Sequence, residues 1–132
     1  MKNTMELIKL VESVLVPLKS SHGLKEIYHE IADDKKLYPH IVHTFDRVAT
    51  LTDDREKRNI SLIIDIYDRQ RTTKAVNDIA DAVEELFDQK NLPQTDNLPT
   101  IFFVSKRHLP DEDKMIKHIQ IEFEIQNYER NE

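Results

Sequence analysis

The chain has 132 residues, 39% hydrophobic and 33% charged, with one glycine, no cysteine and a formal net charge of −6. That length fits a single domain, 1–132, large enough to bury a core without staples. The missing cysteines exclude disulfides, thiolate metal sites and cysteine nucleophiles; the lone glycine excludes a P-loop, a dinucleotide fingerprint and a serine elbow; and the acidic balance argues against a grip on nucleic acid built by neutralising phosphates.

Met5, Ile8, Val11, Leu15 and Leu18 recur at three- and four-residue steps, which predicts an amphipathic helix over 4–19, capped by Asn3 or Thr4. Glu6, Lys9 and Glu12 interrupt this stretch, so it does not read as a signal peptide. Pro17 should kink or end the helix, because proline lacks the N–H and crowds the preceding turn. Residues 25–31 (KEIYHEI) predict a strand with Ile27, His29 and Ile31 on one face and Tyr28 on the other. Residues 39–49 open a second strand at a proline, with Ile41, His43, Phe45 and Arg47 on one face. Residues 57–67 predict a third, whose Ile60, Leu62, Ile64 and Ile66 form an all-aliphatic face aimed at the core. Between the second and third strands, TLTDDREKR reads as a long charged hairpin tip.

The third strand runs straight into a helix over 73–88, capped by Thr72 or Thr73, with Val76, Ile79, Ala80, Val83, Leu86 and Phe87 as its buried stripe. Asp78, Asp81, Glu84, Glu85 and Asp88 make its acidic outer face. Lys90 to Pro93 stops the helix, and a polar linker leads to a fourth strand, 100–106. A second charged tip, RHLPDEDK, precedes a fifth strand in which Ile119, Ile121, Phe123 and Ile125 alternate with His118, Gln120, Glu122 and Glu124, and residues 127–132 should fray. The order α-β-β-β-α-β-β predicts an α+β domain: a mostly antiparallel sheet of about five strands with two helices packed on one face.

The chemical constellations are weak. His40 and His43 point to opposite faces of a strand, so they do not share a metal without a bend. PDEDK (110–114) resembles part of a two-metal nuclease signature, but its charges sit in one tip, and Asp65 joins them only if the fold brings it there. The acidic face of the second helix diverges into water and lacks the glycine turn of a calcium loop. No catalytic, metal or cofactor site is therefore expected. No apolar run approaches the ~18 residues that a membrane span needs.

Several stretches together resemble the tail terminator (tail completion) proteins of long-tailed bacteriophages. They are MELIKLVESVL as the opening helix, YPHIVHTF as a strand entered after a proline, and ISLIIDIYDRQRTTKAVNDIADAVEELF as a strand running into a helix. TIFFVSK and MIKHIQIEFEIQ form the closing hairpin. The resemblance covers nearly the whole chain and implies a structural virion protein without cofactor. Such a protein caps the end of the tail tube, stops its polymerisation and joins it to the neck. It also implies a homo-oligomer, commonly a hexameric ring, with the major tail tube protein and a neck or head-completion protein as partners. Its place is the virion tail, after assembly in the host cytoplasm, with DNA passing through the lumen without specific binding and with no membrane contact. On that reading the contact candidates are the first tip (Asp53, Asp54, Arg55, Lys57, Arg58), the corner (Arg69, Arg71) and the second tip (Arg107, Asp111, Glu112, Asp113, Lys114). Two other readings stay open at this point: a small cytosolic α+β regulatory or ligand-binding module, and a metal-dependent nuclease.

Overall fold

A computed structural model describes residues 4–32, 34, 36–47, 57–88, 90–91 and 100–129. The elements in chain order are α1 (Thr4–Leu15), α2 (Leu18–Ser21), β1 (Glu26–His29), β2 (His40–Arg47), β3 (Lys57–Arg69), α3 (Lys74–Phe87), β4 (Lys90–Asn91), β5 (Thr100–Leu109) and β6 (Ile116–Glu129). The strands form one sheet in the order β1-β2-β3-β6-β5-β4. Every pairing is antiparallel except β1 with β2, which is parallel. This is the predicted α+β fold, with a two-residue strand added at one edge.

The aliphatic faces decide the packing. Leu62, Ile64 and Ile66 of β3 and Ile119, Ile121, Phe123 and Ile125 of β6 are fully buried. Register sets Ile64 against Ile121 and Leu62 against Phe123, so the two alternating patterns share one side of the sheet. Val11 and Leu15 of α1 and Val76, Ile79, Ala80, Val83 and Phe87 of α3 close the same cluster. Phe87 meets the Phe123 ring at 5.4 Å between centroids, a separation at which aromatic pairs add to plain area burial.

Local chemistry explains where the elements depart from the predicted bounds. The N-terminal helix does not run to residue 19: it ends at Leu15, and Pro17 starts the separate turn α2. Gly23, at φ 69°, turns the chain so that the Leu24 N–H reaches back to the Leu18 carbonyl at 3.3 Å. Ile31 does not share the core face of β1, because Glu30 takes a positive φ of 71° and ends the strand, leaving Ile31 80% exposed. Lys57 and Arg58 open β3, as the strand predicted over 57–67 has them, and Arg107 belongs to β5, so the second hairpin tip is shorter than expected. β5 stays paired past residue 106, to Leu109 opposite His118, and carries a bulge at Val104 where the register shifts between Phe103 and Ser105. β6 also carries past the expected fraying point, with Glu129 opposite Lys57.

Candidate contact surfaces

β3 and β6 define two ends of the sheet. At ~3.3 Å rise per residue, the 13 residues of β3 separate them by roughly 40 Å. Asp53, Asp54 and Arg55 lie outside the described residues, as do the side chains of Lys57 and Arg58, whose backbone opens β3. Arg69, Arg71, Arg107, Asp111, Glu112, Asp113 and Lys114 gather at the other end, where β3 turns into α3 and β5 turns into β6.

The corner and the second tip are joined. Arg69 donates through Nη1 to Asp113 Oδ2 at 2.6 Å, and the Gln70 N–H donates to the Met115 carbonyl at 2.8 Å. Asp113 also accepts the Met115 N–H, while its own N–H donates to Asp111 Oδ1. The Met115 amide and then the Arg69 guanidinium hold the Asp113 carboxyl below its usual range. Arg71 is exposed at the turn. Thr73 occupies the N-cap position of α3, but its side chain makes no capping bond.

The polar side of the sheet carries a network that sequence reading misses. Asp65 Oδ1 accepts from His118 Nε2 at 2.7 Å and from Gln120 Nε2 at 3.0 Å. Arg107 reaches the same network by donating to Gln120 Oε1. His40, Tyr67 and His118, one from each of β2, β3 and β6, stack in a row with centroid spacings of 5.0 and 4.2 Å. Burial and the nearby Asp65 and Asp111 charges push the Tyr67 phenol up to about 12. Burial lowers the His40 imidazole, against the bond its Nδ1–H donates to the Leu37 carbonyl.

Beside this row lies a groove of about 460 Å³, lined by Tyr38, His40, Asp65, Tyr67, Asp111 and Ile116 among others. The fold thus brings Asp65 and Asp111 to one groove. Among the described residues, however, no group of three or more His, Cys, Asp or Glu side chains is placed to hold a metal ion. The acidic face of α3 is partly neutralised from β5: Lys106 Nζ donates to Asp81 at 3.0 Å and Glu84 at 3.1 Å, which raises the lysine.

On the helix side, His43 is fully buried and bonds to His29 and to Glu12 of α1. The sequence placed His29 and His43 on aliphatic faces of their own strands, but only the parallel register, His29 opposite His43, brings them together.

Comparison with known proteins adds the family context. Residues 13–126 match the family model described as tail completion protein gp17. Among solved structures, the chain is similar to one from the virion of a native gene transfer agent particle, with a TM-score of 0.71 and 12% identity over 94% of this chain and 92% of that one. It is also similar to bacteriophage SPP1 gp17, with a TM-score of 0.58 and 19% identity over 91% and 87%. At those identities the two structures speak for the fold. No curated protein matches by sequence.

Proposed function

We propose, from the premise that the chain belongs to the tail completion protein gp17 family and is a structural component of the virion tail, that it assembles as a homo-oligomeric ring, hexameric by the family resemblance, which caps the tail tube and joins it to the neck. The family is structural and not enzymatic, so the side chains described above are read for contact and not for catalysis. The observation that carries the proposal is the charged end of the sheet, where Arg69 pairs with Asp113 and the turn out of β3 is bonded to the turn into β6. A junction protein needs two contact faces, and this end supplies one of them. One end contacts the major tail tube protein and the other a neck or head-completion protein. A ring of identical subunits closes through heterologous contacts, in which unlike surfaces of neighbours meet.

A net charge of −6 suits a lumen through which DNA passes without being held, since like charge opposes adhesion to phosphate. The test is tube assembly. Purified tube protein is polymerised with and without this chain, and lengths are measured by electron microscopy. Added chain should arrest growth at one tube end and appear there as a ring. Growth unaffected by a molar excess of the chain would overturn the reading.

A further inference from the structure

The buried contact between α1 and the sheet contains four titratable groups in a line. Glu12 Oε2 lies 3.3 Å from His43 Nε2, His43 Nδ1 lies 3.2 Å from His29 Nδ1, and His29 Nε2 lies 3.4 Å from Glu30 Oε1. The two rings sit 4.8 Å apart between centroids. His43 is wholly enclosed and the His29 side chain is 24% exposed, while Glu12 and Glu30 reach water at 38% and 70%. Glu12 comes from α1, His29 and Glu30 from β1 and the turn after it, and His43 from β2; Ile64 of β3 faces His43 across the sheet and brings no charge.

The proton count is constrained. An ionised carboxylate only accepts, so Glu12 requires an N–H on His43 Nε2, and Glu30 favours one on His29 Nε2. Each neutral ring then has a bare Nδ1, and the two lone pairs would face each other at 3.2 Å. One proton in that gap, carried by His29, turns the repulsion into an N–H···N bond and satisfies all four groups at once. A second proton, on His43, would set two N–H groups head to head and break the line. A metal ion is a poorer occupant, because zinc takes four ligands and only the two Nδ1 atoms converge on the gap; no third metal-ligating group joins them among the described residues.

We infer that His29 and His43 form a one-proton latch that holds the edge strand β1 to β2 beneath α1, filled by the first proton the pair takes up and opened by the second. Glu12 fixes the orientation of His43, and the exposed Glu30 favours placing the charge on His29. Burial opposes charge on His43, with the neighbouring His29 acting in the same direction and the Glu12 bond against it. Acid conditions therefore part His29 of β1 from His43 of β2 when the second proton is forced on, while Glu12 holds the charged His43 more tightly.

The test is nitrogen-15 NMR of the imidazoles on the full chain, titrated from pH 8 to pH 4.5. The expected result is two separated steps for the pair, the second at least about one pH unit below the first, with His43 Nδ1 bare until that second step. Amide exchange of β1 should accelerate in the second step, and that of α1 should not. Two histidines titrating together at the ordinary value would overturn the inference, as would His43 taking its proton before His29. Displacement of both ring signals by one equivalent of zinc, with a raised melting temperature, would also overturn it by making a metal the occupant. A Glu12→Gln chain, whose fold is checked by its amide spectrum, should move the His43 step to lower pH; no movement counts against the latch.

Discussion

Gly23 is the only glycine in the chain, and its replacement by alanine tests how α2 hands over to β1. The residue sits at φ 69°, and a Cβ built there meets nothing within 4 Å. The cost of Gly23→Ala is therefore conformational and not steric. Holding an L-residue in the left-handed region costs roughly 1–2 kcal/mol. Loss of glycine's freedom in the unfolded chain returns about 0.4–1 kcal/mol, leaving a net destabilisation near ~1 kcal/mol. For 132 residues, an unfolding entropy of about 2.1 cal/mol/K per residue makes each 1 kcal/mol worth about 4 °C. Thermal unfolding followed by circular dichroism should thus show a midpoint about 4 °C lower, and Gly23→Asn should lose less, because asparagine tolerates this conformation. An alanine chain as stable as the parent, or stabler, would show that the left-handed turn is not needed. A loss beyond about 3 kcal/mol would mean that a Cβ meets packed atoms, against the open space described.

Phe123→Ala removes the fully buried ring that meets both Phe87 and Phe103; urea unfolding should show a loss of about 3–5 kcal/mol, and a loss below ~1 kcal/mol would place the core elsewhere. Tyr67, pushed up to about 12 from the usual 10, should ionise well above pH 10 in a spectrophotometric titration, in a step that a Tyr67→Phe chain lacks. Its sign is destabilising in alkali: between those two values the unfolded chain sheds the proton that the folded chain keeps, so the contribution is intact below pH 10 and lost as pH rises through 12. Arg69→Glu should leave the melting temperature almost unchanged, because the pair with Asp113 is exposed and such pairs add little. It should nonetheless reduce ring formation by native mass spectrometry, and unaltered assembly would remove the corner from the contact surface.

The buried faces of the central strands were legible because period-2 alternation is a local signal: the aliphatic residues read from β3 and β6 are the ones the sheet buries. The acidic outer face of α3 was equally legible, although its neutralisation by Lys106 depends on the bulge at Val104 and could not be read. Ile31 misled because nothing in KEIYHEI announces that Glu30 takes a positive φ. Lys90–Asn91 pairs over only two residues, too short for any period. The polar network was invisible for a different reason. Asp65 lies more than fifty positions from His118 and Gln120, and only the β3–β6 register sets Asp65 against Gln120 and Tyr67 against His118. Of the contact candidates, the sequence found the charges but not their arrangement. Arg69 and Asp113 were separate guesses that the fold makes a pair.

That pairing bears on how a tail junction would carry load. If one end of the sheet holds the tube and the other the neck, force between them runs along β3 and β6, which stay in one antiparallel register from Ile60 opposite Ile125 to Arg69 opposite Ile116 and shift only between Arg58 and Ile60. Pulling along the strands loads their ladder hydrogen bonds together in shear, so no single bond must fail first. The corner would be the weak point if it were an independent loop. Instead, Gln70 is bonded to Met115 and Arg69 to Asp113, so the turn out of β3 and the turn into β6 move as one surface. The charges at that end need not be strong binders to matter. Opposite charges at a rim set register and suppress wrong partners more than they add affinity.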